Sequence, residues 1–294
     1  MSSVRGISQA NLSALAKIVS NAGLQRMMFA DDFKLQVKKL KQVLRKNGLE
    51  IERKSCLSEL IDSSYVHLLE HYRHEYLYKV ALLNSYALAN YSLSDTILLN
   101  EFKIGNSKAD AILINGTNKV FEIKTELDSP ERLYTQINDY YKGFSEVYII
   151  IHYTEVGKYI QYVDEHVGIM LFSKANSIEL FRPALPIIEK LDVLVMMKAL
   201  RKDEYLQLVY NMAGEIPDAK PIHLFKACVE ILSNFSALDI QTQFLKIIKL
   251  RINLGTNQLI QDPNIPAALR LSCYHYNLSK NDYLSLIQRL SCRF

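Results

Sequence analysis

The spacing of apolar residues changes character twice along this chain. Over residues 1–62 it is helical: Leu12, Leu15, Ile18 and Val19 recur at about 3.6 residues behind Ser8-Gln9-Ala10-Asn11. Leu35, Val37, Leu40 and Leu44 then form the apolar stripe of an amphipathic segment. A further long helix is expected from about Tyr65 to Leu88. Beyond it the texture becomes that of strands. Ile97 to Ile104, Lys108 to Ile114 and Lys119 to Lys124 are short β-prone runs, and Asn115-Gly116 between the last two is a hairpin signal. Ser129-Pro130-Glu131 reads as a helix start, with its end at Gly143. Glu146 to His152 is a nearly unbroken apolar run, as for a strand covered on both faces. Val167 to Phe172 and Ser177 to Phe181 complete the strands.

From Pro183 the strand pattern stops. Pro186 to Leu200, Lys202 to Ala213, Pro221 to Phe235, Ala237 to Leu254, Ile265 to Tyr276 and Lys280 to Cys292 read as helices, with Gly214, Pro217, Gly255 and Pro263 between them. The order is helical, then α-βββ-α-βββ, then helical. This predicts an α+β or α/β fold with three parts: a helical N-terminal region (1–62), a mixed-sheet domain (63–184) and a helical C-terminal domain (185–294).

Composition changes this picture little. The chain has 294 residues, 49% apolar and 22% charged, with a formal charge of +4. Its cations are unevenly placed: Lys34, Lys38, Lys39, Lys41, Arg45, Lys46, Arg53 and Lys54 face only Glu50 and Glu52 in that segment. An amphipathic basic helix of this kind is either a solvated outer face or a phosphate-contacting one, through Lys38, Lys41 and Arg45. Cys56, Cys228, Cys273 and Cys292 are widely spaced, which argues against a zinc ribbon or a disulfide scaffold and fits reduced thiols in a cytoplasm. No leader pattern and no membrane-length apolar stretch is visible, so no membrane partner is expected. There is no phosphate-binding glycine loop and no acyl-transfer motif.

The chemistry concentrates at Asp110, Glu122 and Lys124. Glu122 and Lys124 are two apart, so a strand points both to one side while Ile123 points to the other. Two charges in the apolar run Val120 to Lys124 are costly unless they meet a polar cleft or a metal. For Asp110 to join them the hairpin must have the right parity. A two-residue loop sends it to the opposite face, so an odd-length loop or a bulge is expected around Asn115 to Asn118. On the following helix Arg132, Gln136 and Tyr140 form a polar stripe beside Leu133, Ile137 and Tyr141. Asp128 is expected to cap that helix and pair with Arg132, and Glu101 stands as an accessory acid on the first strand. His67, His71 and His74 share a helical face without a fourth ligand and read as solvated or core-lining residues.

Asp110 with Glu122-x-Lys124 and Gln136-x-x-x-Tyr140 resembles the PD-(D/E)xK, restriction-endonuclease-like superfamily with the helix motif of RecB-like exonucleases. Asn106 to Asp110, Glu122 to Thr125 and Asp128 to Leu133 are similar to a poorly characterised bacterial branch of it. No proline precedes Asp110, a departure from the motif. The resemblance implies a restriction-endonuclease-like core (α-βββ-α-β) over 63–184. It implies Asp110 and Glu122 as ligands of Mg²⁺ (Mn²⁺ as substitute), with Lys124 orienting water. It also implies an upstream acid, for which Glu75 is chosen and Glu70 is the runner-up, and a catalytic role for Gln136. Arg132, Gln136 and Tyr140 would contact nucleic acid. The expected function is a metal-dependent nuclease, a Mg²⁺-dependent phosphodiesterase acting on DNA, endo or exo left open. The alternatives are a non-catalytic nuclease-fold protein that binds nucleic acid or a partner protein, and an RNA-cleaving toxin. The C-terminal helices are expected to pack on the sheet or to make a homodimer or partner contact.

Overall fold

The structure, a computed structural model, describes residues 7–116, 118–252, 257–276 and 278–294. Along the chain lie α1 (Gln9–Ile18), α2 (Asn21–Phe29), α3 (Phe33–Lys46), α4 (Leu57–His71), α5 (Glu75–Ala81) and α6 (Leu88–Asn90). The strands β1 (Ile97–Ile104), β2 (Ser107–Ile114) and β3 (Asn118–Lys124) follow, then α7 (Leu133–Tyr140) and β4 (Glu146–His152). After a short α8 (Val156–Tyr159) come β5 (Gly168–Phe172) and β6 (Ile178–Arg182). The remainder is α9 (Val193–Ala199), α10 (Lys202–Ala213), α11 (Pro221–Leu232), α12 (Ala237–Lys249), α13 (Ala267–His275) and α14 (Lys280–Ser291). The mixed α+β class is as expected from the sequence.

Two compact units divide the chain: residues 1–90 with 255–294, and residues 91–254. The boundaries expected at 62/63 and 184/185 are not where the contacts thin out.

In the first unit, the capping expected of Ser8 is made, its Oγ accepting from the Asn11 amide at 3.3 Å. The long helix expected from Tyr65 to Leu88 is broken at Tyr72, with φ −158°, and restarts behind His74. It then continues as a π-helical segment, Leu82–Ala87. The C-terminal residues close this unit. The Tyr76 hydroxyl donates to the Ala268 carbonyl at 2.6 Å, and Arg289 reaches the carbonyls of Met28 and Ala30. Cys56 and Arg293 form a β-bridge.

The second unit is built on a six-stranded sheet in the order β1 to β6. β1, β2 and β3 are antiparallel, β3, β4 and β5 parallel, and β5 and β6 antiparallel. The apolar run of β4 sits in the parallel part and is buried from Val147 to His152. Val120, Val147, Ile149 and Ile169 of the sheet share one core with Leu133 and Ile137 of α7. Met196, Met197, Leu208, Cys228, Ile240 and Phe244 of α9 to α12 enter the same core. A domain boundary at 184/185 would therefore cut through it. The helix expected over Pro186 to Leu200 is confined to Val193–Ala199, where Asp192 accepts from the Val195 amide at 3.0 Å. Among the described residues no helix is long and apolar enough to cross a membrane.

Candidate functional site

The β2–β3 register decides which residues meet. Ile114 pairs with Asn118 and Ala111 with Phe121. The connection is therefore the three residues 115–117, an odd loop, with Gly116 at φ 103°. Continuing that ladder by one residue sets Asp110 opposite Glu122, on one face, as the parity argument required. The β1–β2 register in turn brings Glu101 level with Asp110. Glu101 has φ 61°, an uncommon backbone for a residue other than glycine, and the ladder skips it between Asn100 and Phe102. Its carboxylate pairs with Lys108, and an oxygen of Glu101 lies within 4.8 Å of one on Asp110.

Glu122 and Lys124 share the parity of Val120, so they point at α7 and not at open solvent. Glu122 is 3% exposed and Lys124 8%. The Lys124 ammonium donates to Glu122 Oε1 at 2.7 Å and to Gln136 Oε1 at 3.0 Å. Gln136 Nε2 donates to Glu122 Oε1 at 2.5 Å, and the Tyr140 hydroxyl donates to Glu122 Oε2. Three donors thus converge on one buried carboxylate. Burial, followed by the negative charge of Glu122, drives the Tyr140 phenol far above its usual range and keeps it a proton donor. One oxygen of Asp110 accepts from the Ile123 amide at 2.7 Å.

Several expected roles do not survive these positions. Tyr140 is fully buried and cannot touch a nucleic acid. Glu75 is not among them: it stands at the start of α5 in the first unit, paired with Lys79 at 2.5 Å. Asp128 accepts from the amide and hydroxyl of Thr125 at 2.8 and 2.7 Å, closing a turn instead of pairing with Arg132. The helix begins at Leu133, three residues later than the Ser129 cap suggested. Arg132 is exposed and has no ion-pair partner among the described residues.

A polar cleft of about 740 Å³ lies beside this network, lined by Asn106, Lys108, Arg132, Thr135, Gln136 and Lys142 among others. Its floor rests on Asp139, which the sequence reading missed. Asp139 accepts from the Asn106 amide (3.0 Å), the Ser107 hydroxyl (2.8 Å) and Lys142 (2.7 Å). Burial pushes its carboxyl up, but these donors outweigh it and hold the group below its usual range. The turn it clamps is a two-residue hairpin, with Gly105 at φ 60° in the position where a type II′ turn calls for glycine. A Cβ on Gly105 would come within 2.7 Å of Asp139 Oδ1. The Gly105-Asn106 dipeptide was the available signal.

In the first unit, α3 buries Val37, Leu40 and Leu44 and turns Lys34, Lys38, Lys39, Arg45 and Lys46 outward. None of the five has an acidic partner among the described residues. Lys41 departs from the expected set. It is 8% exposed and donates to the carbonyls of Glu52, Arg53 and Phe294, the last at 2.6 Å. Burial, then the nearby Arg45 charge, lowers its affinity for a proton.

The fold and this centre define an α+β protein whose acid–lysine pair is an internal structural element of the sheet. The profile of the family described as "Bacteriophage P4 protein cII" matches residues 68–268, more than half of the chain, and the chain belongs to that family. Protein cII of Enterobacteria phage P4 is 27% identical over 191 residues, which cover 63% of this chain and 67% of that protein. No solved structure is significantly similar to the chain.

This membership corrects the sequence reading. The PD-(D/E)xK assignment is replaced, and with it the metal-dependent nuclease function, its RNA-cleaving form and the nuclease-fold alternative. The matched span runs through α9 to α12, well past the expected 63–184 domain. The physical reason for the misreading is that Asp, Glu-x-Lys and Gln-x-x-x-Tyr at these spacings also describe a buried ion pair between a strand and the helix packed on it.

Proposed function

We propose that this member of the cII family is a nucleic-acid-binding protein that grips the phosphate backbone through α3. The observation that supports this is the unopposed cationic face of Lys34, Lys38, Lys39, Arg45 and Lys46. At about 1.5 Å per residue the face extends roughly 18 Å, enough to follow several phosphates of a duplex. The apolar stripe of α3 is consumed in its own unit, Leu40 and Leu44 being fully buried. The helix therefore offers charge and not an apolar face, which favours a polyanion over a bilayer. Arg132 on the polar cleft is a further phosphate contact, and the same reading takes DNA as the partner.

A divalent cation, Mg²⁺ or Mn²⁺, does not suit Glu122, whose carboxylate already accepts three donors in a buried setting. Asp110 suits it better, with Glu101 close by, and we assign any such cation to that pair. Calorimetric titration with Mn²⁺ tests this assignment. Binding retained in an Asp110→Asn variant removes it.

The binding proposal is tested by fluorescence anisotropy with a labelled DNA duplex over a range of salt. Wild-type protein should bind with affinity that falls steeply as salt rises, and Lys38→Glu with Arg45→Glu should weaken it at least tenfold. Absence of binding at low salt, or equal affinity of the variant, refutes it.

A further inference from the structure

A second cavity in the 91–254 unit, about 390 Å³ in volume, lies between α12 and the start of β3. That volume is within the roughly 300–1,000 Å³ of small-ligand sites. It is separate from the polar cleft and shares none of its lining residues. Its walls are Ile114, Leu238 and Leu245. Two amide side chains line it from buried positions, Asn118 at 8% exposure and Gln241 at 2%.

Each amide spends only one end on the fold. Asn118 Oδ1 accepts from the Ser145 amide and hydroxyl, at 2.5 and 3.2 Å, while its Nδ2 donates to no described residue. Gln241 Nε2 donates to the Gly143 carbonyl at 3.0 Å, while its Oε1 accepts from none. Both residues line the cavity, and neither of these atoms is among the buried side-chain atoms left without a partner. The cavity thus presents a spare donor and a spare acceptor between apolar walls. Lys246 and Lys249, one turn apart on α12, complete the lining, and neither has an acidic partner among the described residues.

We propose that this cavity is a binding site for a nucleoside monophosphate. Its base edge would pair donor and acceptor with Asn118 and Gln241, its rings would lie against Ile114, Leu238 and Leu245, and its phosphate would meet Lys246 and Lys249. A simple fatty acid matches the lysines and the walls but leaves both amides unanswered. A bare inorganic anion leaves the walls unused.

The test is calorimetric titration of the full chain with AMP, GMP, CMP and UMP separately, and with inorganic phosphate. At least one nucleotide should bind at least tenfold more tightly than inorganic phosphate. Lys246→Glu with Lys249→Glu should weaken that binding at least tenfold. Thr242→Trp, at an exposed position on the cavity rim, should block it without disturbing the core. The proposal is overturned if no nucleotide binds, if phosphate binds as well as the best nucleotide, or if either variant binds like the wild type. Circular dichroism of the variants confirms that a loss reflects the site and not the fold.

Discussion

The hydroxyl of Tyr140 donates to the carboxylate of Glu122, and through it α7 is tied to β3. Lys124 and Gln136 complete the same buried group. Removing the phenol should leave Glu122 short of a donor in a place water does not reach. Tyr140→Phe is expected to cost about 1–3 kcal/mol. Urea denaturation followed by circular dichroism measures it, and an unchanged midpoint would show the contact to be dispensable.

The Glu122–Lys124 pair predicts a non-additive pattern. Lys124→Met strands a buried carboxylate and should cost about 3–5 kcal/mol, whereas replacing both members by methionine should cost less than that single change. Equal or greater loss in the double variant would mean that the pair stabilises the sheet by more than its mutual neutralisation.

Much of the second unit was legible in the alternation of its strands. β1 and β4 were located to the residue, and β2 and β3 to within one residue, because their apolar runs are bounded by turn residues. The parity of the 115–117 loop also followed from sequence, since side chains alternate with a period of two. Burial of the charges did not. Glu122 and Lys124 have the same spacing whether they line an open cleft or neutralise each other beneath a helix, and only the packing of Tyr140 and Gln136 separates the two. Helix boundaries failed where chain direction is set by distant contacts. The break at Tyr72 has no proline or glycine to announce it, and the closing of α13 and α14 onto α1 to α5 involves residues some 200 positions apart, such as Tyr76 and Ala268.

The left-handed backbone of Glu101 was equally invisible in the sequence. Its carboxylate pairs with Lys108, and both groups are substantially exposed, so that pair contributes little. Relief of the φ 61° conformation should dominate on substitution. Glu101→Gly is expected to raise stability by about 1 kcal/mol. A chemical denaturation midpoint shifted downward instead would assign the stabilising role to the Glu101 side chain.

Lys38 and Lys41 are three residues apart on α3 yet should behave in opposite ways. Lys38→Gln removes an exposed charge. It should leave stability within about 0.5 kcal/mol of wild type and lower the slope of log affinity against log salt by about 0.9 if it contacts one phosphate. Lys41→Gln removes the donor shared by Glu52, Arg53 and Phe294. It should destabilise the first unit and leave the salt slope of the folded protein unchanged. Thermal melts alongside anisotropy titrations separate the two effects, and a reduced slope for Lys41→Gln would return that residue to the binding face.

His74 should make the first unit sensitive to acid. Its Nε2–H donates to the Val19 carbonyl at 2.9 Å, and its Nδ1 is buried without a partner. Burial holds its pKa below the ordinary value of about 6.5, against the opposing pull of the Val19 and Tyr72 backbone and of Glu75. His67 is lowered in the same direction by burial and by the neighbouring charge of His71. With a depressed histidine the unfolded chain binds more protons than the folded one, so stability increases with pH across the interval between the two values. The stabilisation is complete above about pH 6.5 and is lost progressively as pH falls below it. Gln can replace the Nε2–H donor without titrating. His74→Gln should therefore lose less stability than wild type between pH 7.5 and pH 5, measured as the shift in urea midpoint. Parallel losses in the two proteins would show that protonation of His74 is not what weakens the fold.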